Sequence, residues 1–497
     1  MDSKNLTTVQ EAHLEPAALW RQFAAICDVP HPSGSLEALR AYIIYIAQQY
    51  GCETQTDTAG NIMVRTGGQP RCCLQAHYDM VPQQDDAVTF DFSRDALQLR
   101  VADGQVMATG TTLGADNGIG VAAMLALIEM RQPQLELLFT ADEETGMQGA
   151  RQLRADWIKS DKLINLDTEQ EGILMTGCAG AVNMTATLKC KMDNEIPEGD
   201  SAVMISLTGL QGGHSGMDIH LHRANACKLM NRFLKHLVVS FEARVASFNS
   251  GTLRNAIPRE AQAIITVPGE IVDEVIDETR YYNDLYRDEY GDDEPSLSFT
   301  AQPVELPAAL LPEEIQDDLL NAVEACHNGI WSMGKGYVDT SANMAHVQTR
   351  ATGETEVLLM VRSMNEERKR ACASAIQSAF LMAGFRVDFA ANYEAWNIAD
   401  DAPLVRQAVS AYQTMQQQGL AASACKTQRQ ALDAETLRTD KVHCGLECGV
   451  ITEQYPNLQI ISVGPTIHHP HSPQESVEID SVARFWALIT EMLKADL

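Results

Sequence analysis

Four stretches of this chain place metal-binding side-chain types where an apolar run stops. "QAHYDM" carries His77 and Asp79, "TADEETG" carries Glu143 and Glu144, "INLDTE" carries Asp167, and "VGPTIHHPHSP" carries His468, His469 and His471. A fifth, "LGADNGIG", sets Asp116 among glycines and small apolar residues directly ahead of the apolar run "VAAMLALIEM". A lone buried carboxylate is costly unless it is paired or holds a metal. Any one of these residues alone is more often structural. Together they run His, Asp, Glu, Asp, His along the chain, each at the end of an apolar strand or in the turn after one. Imidazole and carboxylate suit zinc, and also cobalt or manganese. Five ligands can hold two ions if one carboxylate bridges them, and Asp116, central and in a tight turn, is the natural bridge.

The elements that must carry these residues form an alternating pattern. Residues 18–29 and 37–51 have apolar side chains at helical spacing. Residues 60–66, 71–81, 135–144 and 162–169 read as strands, with the helix after Asp116 between the second and third. Such alternation implies an α/β fold, a mostly parallel sheet with helices on both faces. Ligands then gather at the carboxyl ends of the strands. Spacing of two sets His77 and Asp79 on one strand face, and the adjacent Glu143 and Glu144 point apart and can serve two tasks.

The pattern breaks at "KMDNEIPEGD" (191–200). Strand, helix and strand signals then recur twice, so 195–390 reads as an inserted α+β domain with two related halves. The α/β pattern resumes afterwards, with a helix from Pro403, a strand at 458–467 and a closing helix. The expected organisation is a discontinuous catalytic domain, 1–194 and 391–497, around an inserted domain at 195–390. The acidic run from Asp273 to Glu294 reads as a solvated helix face.

Bulk composition excludes several classes. At 497 residues the chain exceeds what one core supports. A net charge of −30, with 37 Lys+Arg against 67 Asp+Glu and no basic stripe, argues against nucleic-acid binding. The longest apolar runs are shorter than the ~20 residues of a membrane span. The polar N-terminus lacks a signal-peptide core. Twelve scattered cysteines fit reduced thiols in the cytoplasm. "HCGLEC" (443–448) lacks the second Cys pair a structural zinc site needs.

The motifs "AHYDMVP", "GTTLGADNGIG", "TADEETGMQGA", "NLDTEQEG", "GCAGA", "GLQGGHSGMDIH", "GTLRNAIPRE", "HCGLECG" and "SVGPTIHHPHSP" resemble the aminoacyl-histidine dipeptidases, also called Xaa-His or cytosol non-specific dipeptidases or carnosinases. These belong to the di-zinc superfamily of aminoacylases, glutamate carboxypeptidases and peptidase T. The resemblance runs from about residue 18 to the C-terminus. It implies two zinc ions per chain, one held by His77 and Asp167 and the other by Glu144 and His471, with Asp116 between them. The chain departs from the family in having His468 and His469 where small residues are usual; His471 is taken as the ligand from its place before Ser-Pro, with His469 in reserve.

The resemblance further makes Asp79 the carboxylate that orients His77, Glu143 the general base, and the Asp116–Asn117 peptide bond cis. It makes the inserted domain a lid whose His214 stabilises the oxyanion. Asn255 and Arg362 become binders of the substrate carboxylate, and Glu447 a partner for its ammonium. The implied reaction is hydrolysis of dipeptides, with Xaa-His preferred. A deacylase of N-acyl amino acids on the same metal site, and an inactive metal-dependent peptide-binding protein, stay open. So do a monomer and a homodimer through the lid.

Overall fold

The computed structural model describes residues 3–419 and 437–494. Contacts divide the chain into two compact units. One comprises Met1–Gly177, Trp396–Lys441 and Leu446–Leu497, the other Cys178–Ala395 and Val442–Gly445.

The first unit is built on a mixed sheet. Its order is Glu53–Thr56, Ile62–Arg65, Leu135–Thr140, Cys72–His77, Lys162–Asn165, Gln459–Ser462, Ile173–Cys178 and Trp396–Asn397, with Arg438–Val442 paired to Ile173–Cys178. The four middle strands, from Leu135–Thr140 to Gln459–Ser462, run parallel. On one side Ile62–Arg65 and Glu53–Thr56 join antiparallel, and on the other Ile173–Cys178 does. The Cys72–His77 and Leu135–Thr140 strands are buried at every position, as central strands of a parallel sheet must be. Helix Ala115–Glu129 is buried from Ala115 through Ile128 and packs on Cys72–His77. It is apolar all round, the signature of a core helix. The strands stop earlier than the apolar pattern suggests: pairing ends at His77, Thr140, Asn165 and Ser462. Asp79, Glu143, Glu144 and Asp167 therefore sit in the turns just beyond.

The second unit carries an antiparallel sheet made of two halves with the same topology. The first half runs Asp200–Thr208, helix Ala226–Phe241, strands Arg244–Gly251 and Ala261–Pro268, helix Val272–Tyr290, strand Ser298–Val304. The second runs Gly180–Lys189, helix Glu313–Ala325, strands Val338–Thr349 and Glu354–Ser363, helix Glu366–Met382, strand Arg386–Tyr393. Arg244–Gly251 pairs Val338–Thr349 at the centre, and from there both halves are ordered alike to their edges. The repeat is thus a match of topology. Its second half begins at Gly180–Lys189, which is paired on both sides within this sheet and precedes the polar break at 191–200. Most of the acidic helix Val272–Tyr290 is solvated. Glu294, past its end, is instead buried and accepts the amides of Gln211 and Ala224.

Candidate metal centre

Five side chains converge in the first unit. His77 Nε2 lies 3.0 Å from Asp116 Oδ1 and 3.4 Å from Asp167 Oδ1. His471 Nε2 lies 3.1 Å from Asp116 Oδ2 and 2.9 Å from Glu144 Oε1. Asp116 thus turns one oxygen to each imidazole. Two groups of ligand-type atoms result, His77–Asp116–Asp167 and Asp116–Glu144–His471, each within 4.8 Å, and they share Asp116. A third grouping joins His77 to Glu143 and Glu144. His469 and the cysteines of "HCGLEC" belong to none of the groups found among the described residues.

Local structure explains the convergence. Gly114 takes a left-handed conformation (φ 67°), and a Cβ there would crowd Met80. The Asp116–Asn117 bond is cis, as the resemblance implies. Asn117 Nδ2 donates to Asp167 Oδ1, and Asn165 Oδ1 accepts the Asp167 amide at 3.2 Å. Asp79 lies in the turn after the strand that ends at His77. Its backbone carbonyl and Oδ1 lie 3.1 and 3.4 Å from His77 Nδ1. Its carboxylate also accepts from Ser33 Oγ and from the amides of Glu143 and Glu144. One buried carboxylate therefore fixes the His77 ring with Nε2 toward Asp116 and pins the turn carrying the two glutamates.

The electrostatics ask for cations. Among the described residues, the ion pairs of Asp116, Glu144 and Asp167 are all with imidazoles. Hydrogen bonds to Asp116 and Glu144 raise His471 to about 11. For His77, burial is outweighed by Asp167 and Asp116, and its pKa is well above the usual range. Burial pushes Asp167 up to about 6. Burial would raise Asp116 too, but hydrogen bonds to His471 and His77 hold it below the carboxylate range. Carboxylates that force protons onto two imidazoles are a donor set suited to divalent metal, with nitrogen and oxygen ligands in the mixture zinc accepts. Burial, with Glu144, Asp167 and Glu447 outweighing His77, raises the Glu143 carboxyl well above its ordinary value.

Glu447, expected to receive a substrate ammonium group, is buried, with Oε1 lacking a hydrogen-bond partner among the described residues and Oε2 engaged by its neighbours. It has no exposed surface, and its Oε2 accepts from Gln75 Nε2 at 2.5 Å and Thr140 Oγ1 at 2.7 Å. Gln75 in turn accepts from Asn165, and Asn165 from Ser462. Gln75, Asn165 and Ser462 are register partners on adjacent parallel strands, so this buried row ties the strand ends together beneath the ligands. Burial pushes the Glu447 carboxyl up to about 8, which favours its neutral form at pH 7. Glu447→Gln, which resembles that form, is expected to keep dipeptide KM within about tenfold, whereas Glu447→Ala strands two buried donors at about 1–3 kcal/mol each. Steady-state kinetics and thermal unfolding check this. A KM raised a hundredfold by Glu447→Gln alone would support the ammonium role.

The remaining expected residues lie in the second unit. His214 and Ala256 are paired in a two-residue bridge, and Ser215 N donates to Asn255 O. Asn255 is thereby held beside His214, with its side chain exposed. Arg362, 4% exposed, reaches Ser215 Oγ, Tyr393 Oη and, with Nη2, His214 Nε2 at 3.4 Å. Burial and then Arg362 lower His214 to about 4, so it is neutral. Its Nδ1 accepts from the Gly216 and Met217 amides, which assigns the ring proton to Nε2. Two donors, Nε2–H and the Arg362 guanidinium, then face each other, an arrangement suited to a shared anionic oxygen. His443, in "HCGLEC", pairs its Nε2 with Ser341 Oγ.

One group at the first site had no sequence signal. Glu475, four residues past His471 in a polar loop, is buried against the Asp116 turn.

The chain matches Peptidase family M20/M25/M40 over residues 73–495. It is 37% identical to the cytosol non-specific dipeptidase of Escherichia coli (strain K12), covering 97% of this chain and 98% of that one. Its structure is similar to that of the aminoacylhistidine dipeptidase from Vibrio alginolyticus, with a TM-score of 0.82 and 36% identity over 97% of each chain. A tripeptidase from Staphylococcus aureus shares the fold, with a TM-score of 0.53 and 15% identity over 97% of this chain and 98% of that one. The chain belongs to peptidase family M20/M25/M40 and is a peptide hydrolase.

Proposed function

We propose that this hydrolase is a metal-dependent dipeptidase that holds two zinc ions and prefers Xaa-His substrates. The observation that carries the reading is the pair of ligand groups sharing Asp116. His77 and Asp167 would hold one ion, Glu144 and His471 the other, with Asp116 common to both; cobalt or manganese suits the same donors. When bound, the ions polarise the scissile carbonyl and lower the pKa of a water molecule. Glu143 takes the proton of the attacking water and returns it to the leaving amine. Asp79 keeps the His77 ring in place throughout. His214 and Arg362 offer their facing donors to substrate oxygens, the oxyanion for His214 and the carboxylate for Arg362, with Asn255 beside them.

Dipeptides are the favoured substrates because the E. coli relative is named a dipeptidase and the Vibrio one an aminoacylhistidine dipeptidase. The cytoplasm is the proposed compartment: the E. coli relative is named a cytosol enzyme, and the cysteines of the described residues are free thiols. No described helix is long and apolar enough to cross a membrane. A homodimer through the second unit is proposed on its sheet, whose Arg386–Tyr393 edge strand is largely exposed.

The test is a hydrolysis screen of metal-stripped protein with zinc added back, using Xaa-His dipeptides, matched tripeptides and N-acetyl amino acids. Dipeptides are expected to exceed both others in kcat/KM by at least about a hundredfold, or ~2.7 kcal/mol. Equal values would replace the dipeptidase reading with a general aminopeptidase or deacylase.

A further inference from the structure

Glu475 is 2% exposed, and its carboxylate is surrounded by the backbone of the turn that presents Asp116. Oε2 accepts the amides of Leu113 at 2.8 Å and Gly114 at 3.0 Å. Oε1 accepts the amides of Ala115 at 2.8 Å and Asp116 at 3.4 Å. Four consecutive N–H groups at the opening of a helix thus point at one anion, the arrangement that backbone amides and helix polarity favour.

The other end of Glu475 is equally constrained. Its own amide donates to Ser472 O at 3.0 Å, and Ser472 Oγ accepts the Gln474 amide and donates to His469 O. Residues 469–475 therefore form one compact turn, with His471 in a left-handed conformation (φ 58°). Directly after it, Ser476–Glu478 enters a strand paired to Gln105–Ala108. Glu475 is thus anchored in the loop that carries His471 and clasps the loop that carries Asp116. These two side chains meet at 3.1 Å although 355 positions separate them.

Resting on the metal-centre reading above, we propose that Glu475 is a positioning residue that sets the spacing of Asp116 and His471 by clasping the amides of residues 113–116. It touches neither substrate nor metal. It acts by fixing the backbone from which the shared carboxylate projects. A glutamine at 475 keeps the size but turns an NH2 group toward amide N–H groups, so part of the clasp becomes donor against donor.

Metal-stripped wild type, Glu475→Gln and Glu475→Asp are titrated with zinc against a chromophoric chelator, and thermal unfolding of each metal-stripped protein is followed by circular dichroism. Glu475→Gln is expected to bind zinc about 10- to 100-fold more weakly than wild type. Its kcat falls with zinc binding while KM stays within about threefold. Wild-type zinc affinity in Glu475→Gln, whatever its melting temperature, overturns the proposal and leaves Glu475 a purely structural residue. If Glu475→Gln does not fold, Glu475→Asp carries the test. It keeps the charge but reaches less far, and is expected to bind zinc about tenfold more weakly, wild-type affinity again overturning the proposal. His471→Ala is titrated alongside. Zinc loss in His471→Ala beside full affinity in Glu475→Gln overturns this proposal alone, and full affinity in both overturns the metal-centre reading with it.

Discussion

Glu143→Gln is expected to lower kcat about 1,000-fold while zinc content stays at the wild-type level. The amide keeps the volume of the carboxylate but cannot take a proton from water at neutral pH. Glu143 and Glu144 are neighbours in the chain, yet their surroundings differ. Glu144 Oε1 sits 2.9 Å from His471 Nε2 in the group shared with Asp116. Glu143 is held mainly through its amide on Asp79, with its carboxyl driven toward the protonated form by burial and by Glu144, Asp167 and Glu447. Glu144→Gln is therefore expected to weaken zinc binding, with activity restored at high added zinc. Elemental analysis of dialysed proteins and kcat measured across a zinc titration separate the two variants. Equal zinc loss in both would erase the division of labour between them.

Asp116→Asn is expected to empty both metal positions together and to reduce turnover by at least about 1,000-fold, ~4 kcal/mol in the barrier. Asp116 is the one side chain common to the two ligand groups, with Oδ1 toward His77 and Oδ2 toward His471. An asparagine offers a single acceptor and no charge, so one imidazole then faces an NH2 group. His471→Ala, by contrast, removes a ligand from one group only. The expected zinc content is near zero in Asp116→Asn and near one equivalent in His471→Ala. One full equivalent retained in Asp116→Asn would mean that the two groups are independent and that Asp116 is not shared.

Much of this centre was legible before folding because its signals are local. His77 closes a buried strand, and Asp167 and the two glutamates lie within a few residues of the ends of others. Side-chain type plus position at a strand end is enough to nominate them. His471 was separable from His469 only by its place in a motif, and the turn that singles it out is set by Ser472 and Glu475. Asp79 lies beside His77, but not through a shared strand face. Strand pairing ends at His77, and a turn brings its carboxylate to the imidazole.

Glu447 and Glu475 show where local reading stops. Glu475 lies in a polar loop and Glu447 in "GLECG", and neither short stretch says what its carboxylate meets. The partners of Glu447 are Gln75 and Thr140, 372 and 307 positions away, and that of Glu475 is the turn at 113–116, about as distant. Similarly, Gly180–Lys189 precedes the polar break and falls within the stretch expected to belong to the first domain. Only its pairing with Glu354–Ser363 and Arg386–Tyr393 makes it part of the other sheet. By itself the sequence determined which residues could bind metal and which segments form strands and helices, since periodicity and side-chain chemistry are properties of short stretches. Tertiary structure alone decided which strands are neighbours, which carboxylates are buried, and that Asp116 faces two imidazoles. Those depend on register and burial between segments hundreds of residues apart, and no short stretch encodes the distance between two loops.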